Sequence, residues 1–204
     1  MKISIISGSH RHDAQSLKVA RYMDSVLKDQ ALCDETWLYS LSDNPLPLWD
    51  ESIWEGDPEW QSRLAPINEQ LESSDAFVIV TPEWHGQVPA GLKNFFLLFG
   101  ARQLGHKPAM LVGVSSGPGG AYPIAELRMS SYKNNRLCYL PEQIIVRNVE
   151  SVLNDNPADN NREEDAYFRE RIPWTLGILA EYATALKQVR DSGKTFDERF
   201  KNGM

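Results

Sequence analysis

Five stretches of the chain carry the apolar spacing of buried strands: KISIIS (2–7), CDETWLY (33–39), AFVIVT (76–81), AMLVGVS (109–115) and QIIVRN (143–148). The first, third, fourth and fifth are β-branched and nearly continuous rather than alternating. Strands covered on both faces of a parallel sheet read this way. Between them the period lengthens to that of a helix. Val19, Ala20, Met23, Val26 and Leu27 fall on one helical stripe. Further helices are expected near 59–72, 89–99 and 121–136, and Leu179, Tyr182, Ala183, Leu186 and Val189 mark a last one. Strand and helix in alternation predict βαβ units and a doubly wound α/β sheet.

Two segments stand outside the alternation. SDNPLPLWDESIWEGDP (42–58) is long for a connection in a compact domain, and its Leu46, Leu48, Trp49 and Trp54 argue for packing rather than disorder. NDNPADNNREED (154–165) is polar and turn-rich, a solvated loop before the last helix. The 204 residues suit one domain over 1–190 with a polar extension over 191–204.

The formal charge of -7 argues against a nucleic-acid partner, whose phosphates demand clustered Lys and Arg. No apolar run approaches the roughly 18 residues of a membrane span. The opening MKISIISGSHRH lacks a signal peptide's cleavage site, and the two cysteines, Cys33 and Cys138, form neither CxxC nor a zinc spacing. A cytoplasmic location is expected.

In open α/β sheets ligands bind beyond the carboxyl ends of the strands. Three chemically unusual loops would gather there. SGSHRHDAQS (7–16) sets a glycine, hydroxyls and Arg11 before a helix, where an anion would meet free N–H groups and the helix dipole. An ordinary N-cap would use the same residue types. TPEWHGQVP (81–89) has two prolines to stiffen it, Gly86 to admit close approach and Trp84 to cover a ring. SSGPGGAYP (115–123) carries Gly117, Gly119 and Gly120 around Pro118 and could approach a planar ligand from its other edge. Plain packing and a tight turn are the bland readings of these two.

Rival motifs are weaker. A single Gly8 stands where a dinucleotide fingerprint needs three glycines, and no Walker loop is present. Gly113-Val114-Ser115-Ser116-Gly117 matches the G-x-S-x-G nucleophile elbow, but no histidine follows His106 to serve Ser115 in the hydrolase order. His10-x-His12 has no third metal ligand nearby.

Taken together, the loops resemble the NAD(P)H-dependent FMN reductase family, a flavodoxin-like group of quinone, chromate and azo-dye reductases. TPEWHGQVPAGLKN is similar to its T-P-E-Y-N-x-S-x-P-x-x-L-K-N signature, and GSHRHDAQS to a G-S-x-R-x-x-S-x-N phosphate loop. NPLPLWDE resembles its L-P-L-Y-D-E connection. The resemblance implies a five-stranded sheet of order 2-1-3-4-5. It implies that Ser9, Arg11, Gln15 and Ser16 hold the FMN phosphate. Pro82, Glu83, Trp84, His85 and Gly86 would cradle the isoalloxazine largely through backbone groups, and Ser115, Gly117 and Gly119 would close the opposite side.

The activity it implies is hydride transfer from NADPH or NADH through FMN to a small acceptor such as a quinone or free flavin, in ping-pong order, with no obligatory catalytic side chain. A flavodoxin-like electron carrier and a flavin-dependent sensor are the rival functions. The resemblance also implies a homodimer or homotetramer, with 42–58 and the helix bearing Phe95, Phe96 and Phe99 as candidate interfaces, plain core packing being the favoured bland reading of both. Trp84, His85, Gln87 and Ser16 replace the family's usual Tyr, Asn, Ser and Asn. The first two would border the ring where reductant and acceptor stack.

Overall fold

The computed structural model describes residues 1–202. Its centre is a parallel five-stranded sheet of order β2-β1-β3-β4-β5. The strands are β1 (Lys2–Ser7), β2 (Glu35–Ser40), β3 (Ala76–Pro82), β4 (Pro108–Val114) and β5 (Cys138–Val146). This is the flavodoxin-like topology. Winding reverses after β2, so the loops following β1 and β3 diverge and open a crevice between them.

β1, β3 and β4 lie in the middle and are buried at every position, as their continuous apolar runs require. β2 and β5 are the edges and are only partly covered. That is why QIIVRN marks only the second half of β5. The strand begins at Cys138, shifts register between Ala109 and Leu111 of its neighbour, and tolerates an exposed Pro141.

The helices are α1 (Gln15–Asp29), α2 (Ser52–Glu55), α3 (Pro58–Ser73), α4 (Ala90–Leu98), α5 (Ala101–Leu104), α6 (Ala121–Ser130) and α7 (Arg162–Asp191). On one face, α1 presses its expected stripe of Val19, Ala20, Met23, Val26 and Leu27 into a core shared with Phe168, Ile172, Leu176 and Leu179 of α7. On the other, α3, α4 and α6 bury Leu64, Leu71, Leu92, Phe95 and Leu127 against β3 and β4.

Four expectations need correction. The helix near 121–136 ends at Ser130, because the Ser130 and Ser131 hydroxyls bond back to the Glu126 and Leu127 carbonyls and Asn135 bonds to that of Ser131. Such side chains compete with the helical ladder. The polar loop stops at Asn161, which caps α7 by accepting from the N–H groups of Glu163 and Glu164. Tyr182 and Val189 of the C-terminal stripe are exposed, while Leu179 and Ala183 are buried. Phe95 and Phe99 are fully buried, so of the large apolar side chains on α4 the half-buried Phe96 and the exposed Leu97 are the ones open to a partner.

Opposite the ligand edge, buried Lys107 donates from Nζ to the carbonyls of Leu71, Glu72 and Gln103 at 2.7, 2.9 and 2.8 Å. It thereby closes the carboxyl end of α3. Burial lowers its pKa to about 8 from 10.5. Between those values the unfolded chain binds the extra proton, so Lys107 stabilises increasingly as pH rises and that contribution is lost as pH falls through about 8. Lys107→Met should cost roughly 2–3 kcal/mol by orphaning carbonyls. It should also flatten the stability rise between pH 8 and 10. Urea unfolding at several pH values reads both, and an unchanged slope would contradict the assignment.

Arg136 holds the segment after α7 by donating to the carbonyls of Thr195, at 3.1 Å, and Phe200. Among the described residues no helix is long and apolar enough to cross a membrane, and no cluster of His, Cys, Asp or Glu could hold a metal.

Candidate functional site

The three loops leave the carboxyl edge side by side because the strands beneath them end level. Ser7 lies opposite Val80, Pro82 opposite Val114, and Val114 opposite Val146.

The first loop turns off the sheet at Gly8, whose N–H donates to the Val80 carbonyl at 2.7 Å. A Cβ there would sit 2.6 Å from Leu92 Cδ2 and 2.9 Å from the Val80 oxygen, so only glycine fits. Ser9 and Ser16 are buried beneath the loop, while Arg11 and Gln15 stand exposed on its rim. The N-cap position of α1 is Ala14, which offers no side-chain bond. No side chain therefore caps α1, so the ordinary N-cap reading of this loop does not hold. Two buried polar atoms there, Ser7 Oγ and His10 Nδ1, have no partner among the described residues. An orphaned buried group costs about 1–3 kcal/mol unless a ligand satisfies it.

The second loop is a two-residue hairpin. Trp84 and Gln87 exchange both backbone hydrogen bonds, at 3.1 and 2.9 Å, around His85 and Gly86 with φ of 50° and 71°. Two successive positive φ values define a type I′ turn, which His85 suits because His, like Asn, tolerates left-handed backbone better than most residues. The half-buried indole of Trp84 meets the His10 ring edge-on, with centroids 4.6 Å apart and planes at 89°. Pro82 is buried at the end of β3.

The third loop is bound to β5 on one side and to the second loop on the other. Ser115 donates its N–H to the Val146 carbonyl, and Arg147 Nε donates to the Gly119 carbonyl at 3.0 Å. Gly117 has no atom within 4 Å of where a Cβ would stand, leaving room above the loop. Gly120 takes φ of 99° and starts α6.

Two carboxylates lock the second loop to α6. Glu83 Oε2 accepts from the N–H groups of Gly120, at 2.7 Å, and Tyr122, at 3.3 Å. In return Glu126 Oε2 accepts from the Val88 N–H at 2.7 Å while its other oxygen pairs with Lys93 at 2.5 Å. Burial alone would raise the Glu126 pKa, but Lys93 and the Val88 N–H outweigh it and the pKa falls.

The signature GLKN thus has a residue-by-residue cause. Gly91 makes room for His10, Leu92 packs under Gly8, and Lys93 pairs with Glu126. Asn94 holds the long connection by accepting from Trp49 N–H and donating to the Pro47 carbonyl, both at 2.7 Å.

The structure brings the predicted residues of all three loops to one edge, with the Glu83 side chain tied to α6. Sequence reasoning missed Glu126, Arg147 and the His10–Trp84 pair, because each acts across elements and no spacing reports it. The nucleophile reading of Ser115 fails. Its hydroxyl accepts from the Gly117 N–H at 3.2 Å, no histidine bonds to it among the described residues, and its backbone lacks an elbow's positive φ.

An uncapped helix end, a rigid hairpin and a glycine loop thus meet at the carboxyl edge of a doubly wound, flavodoxin-like sheet, where open α/β folds bind their ligands. Residues 1–151 match the model of the NADPH-dependent FMN reductase family, and the chain belongs to that family of enzymes. It is 25% identical over 190 residues to an NADPH azoreductase of Bacillus sp. (strain OY1-2), covering 93% of this chain and 97% of that one. It is 33% identical over 126 residues to a quinone reductase of Pseudomonas putida, covering 59% of this chain and 63% of that one. The fold matches that of the flavoenzyme NAD(P)H:(acceptor) oxidoreductase FerB from Paracoccus denitrificans, with a TM-score of 0.68 at 19% identity over 90% of this chain and 97% of that one.

Proposed function

We propose that the protein holds FMN at this edge and acts as an NAD(P)H-dependent reductase of small acceptors such as quinones, azo compounds or free flavin. The observation that carries the reading is the uncapped N-terminus of α1 beside the orphaned Ser7 hydroxyl. FMN, when bound, would supply the redox chemistry for ping-pong hydride transfer between a nicotinamide and the acceptor.

The chain's residues bind and orient. The leading N–H groups of α1, with Ser9, Arg11, Gln15 and Ser16, hold the phosphate. Backbone groups of Pro82 to Gly86 meet one edge of the ring, and Ser115, Gly117 and Gly119 close the other. Trp84, propped by His10, excludes water from the ring and, with His85, borders the place where nicotinamide and acceptor bind in turn. No side chain is assigned as catalytic.

Purified protein should be yellow or become so with FMN, and should oxidise NADH or NADPH with a quinone present. Protein that retains no flavin after incubation and desalting would overturn the reading. Arg11→Ala should weaken FMN binding by roughly 10- to 100-fold, the loss of one charged hydrogen-bonding group, read by flavin fluorescence titration.

The active form is a cytoplasmic homodimer or homotetramer. Supporting the assembly is an apolar face on which Trp54 and Leu97, 78% and 66% exposed, line a cavity of about 680 Å³ together with Trp49 and Phe96. Monomeric single domains rarely leave such a patch uncovered. Leu97→Glu should shift the mass measured by light scattering towards the monomer.

A further inference from the structure

Beside the third loop a second cavity, of about 730 Å³, runs along the open edge of β5 to the start of α7. That volume lies within the roughly 300–1,000 Å³ of small-molecule sites. Its walls include Arg147, Asn161, Glu163, Glu164, Tyr167 and Arg171. It adjoins the proposed flavin site, because Arg147, which lines it, bonds the Gly119 carbonyl of the glycine loop.

We propose that this cavity receives the adenosine diphosphate half of the nicotinamide co-substrate, and that its charge selects NADH over NADPH. The proposal rests on the reductase reading above.

Each part of that half meets a suitable group. Tyr167 is 59% exposed and braced edge-on by Phe168, with ring centroids 5.5 Å apart, so it presents a face on which adenine can stack. Arg147 uses Nε on Gly119, leaving its two Nη groups without a partner among the described residues and able to grip a pyrophosphate. Glu163 is exposed and its carboxylate is unpaired among the described residues, which suits it to accept from the hydroxyls of the adenosine ribose. A carboxylate in this role distinguishes NAD sites from NADP sites, where an arginine takes the 2′-phosphate.

The remaining charges agree. Arg171 is already committed to Glu142 at 2.5 Å and lies over the Trp174 ring at 4.6 Å. Glu164 accepts from Asn148 Nδ2 at 3.2 Å. A 2′-phosphate dianion would therefore face Glu163 and Glu164, and of the two arginines lining the cavity Arg171 is committed to Glu142 while Arg147 is already required by the pyrophosphate.

The test uses the FMN-loaded protein and two probes that lack nicotinamide, ADP-ribose and 2′-phospho-ADP-ribose, with binding read by calorimetry. ADP-ribose should bind at least tenfold more tightly than its 2′-phosphate, and kcat/KM should favour NADH by a similar factor. Tyr167→Ala and Arg147→Ala should each weaken ADP-ribose about tenfold. Glu163→Arg should reverse the order of the two probes. Equal or tighter binding of the 2′-phosphate by the unaltered protein, or affinities indifferent to Tyr167→Ala and Arg147→Ala, would overturn the proposal while leaving the reductase reading intact. Loaded protein that oxidises neither nicotinamide would overturn the reductase reading, and the binding arm would still decide whether the cavity takes an adenosine diphosphate.

Discussion

Gly113→Ala is expected to weaken FMN binding by about 30- to 100-fold, equivalent to about 2–3 kcal/mol, although residue 113 lies inside β4. A Cβ at this position would stand 2.3 Å from the Gly120 carbonyl oxygen and 3.4 Å from Ile124 Cγ1. The oxygen cannot rotate away as a side chain would, because it belongs to backbone whose N–H is held by Glu83. The whole turn from Ser115 to Gly120 must shift outward by a large part of an ångström, and the glycine loop moves with it. Overpacking of a buried site costs typically about 1–3 kcal/mol, so the apoprotein should also lose stability within that range. Fluorescence titration of FMN and urea unfolding of the apoprotein measure the two effects. An affinity within twofold of the unaltered protein would mean that the third loop does not contact the flavin.

The second large effect belongs to Glu83, and its signature is double. Glu83→Ala removes the acceptor for the N–H groups of Gly120 and Tyr122 at the start of α6. Loss of an N-terminal cap costs about 0.5–2 kcal/mol, which in a chain of this size lowers Tm by roughly 2–6 °C. The same change unties the hairpin from the glycine loop, so FMN affinity should fall about tenfold or more. Glu83→Gln retains an acceptor oxygen and should recover most of both losses. A residue that touched only the ring would leave the melting temperature of the apoprotein unmoved. An unchanged apoprotein Tm in Glu83→Ala would therefore remove the tie between the loops.

The strands in the middle of the sheet were legible because burial on both faces demands continuous apolar residues, and β1, β3 and β4 have them. Edge strands escape that demand, so β5 showed only its inner half. α1 was legible through its stripe, whereas the end of α6 was hidden by Ser and Asn side chains whose bonds to the backbone depend on the fold. The aromatic run Phe95, Phe96 and Phe99 left two readings open for a related reason: hydrophobicity cannot say whether a helix faces a core or a partner, and here two of the three face the core.

At the site, the types of residue in each loop pointed to the chemistry, while their partners did not show. Glu83 was visible as part of a family pattern, but its bond to α6 spans 37 positions. Glu126 sits in an ordinary helical run and reaches Val88 only because the sheet brings α4 and α6 together. The absent cap of α1 was legible in one letter, Ala14, once the start of the helix was known.

The hairpin at His85 and Gly86 also bears on how this enzyme could change its substrates. With φ of 50° at His85 and 71° at Gly86, the turn admits few alternatives to the residues it has. Asn, Asp, His and Gly are the amino acids at home there, and a β-branched or bulky replacement would strain the backbone of the turn. Position 84 has ordinary backbone and no such restriction. Diversification of the acceptor range should therefore run through Trp84 and Gln87, the two residues that flank the turn, while position 85 alternates within a short polar alphabet. A library randomised at all four positions and selected for a bulky acceptor would show that asymmetry directly in the surviving sequences.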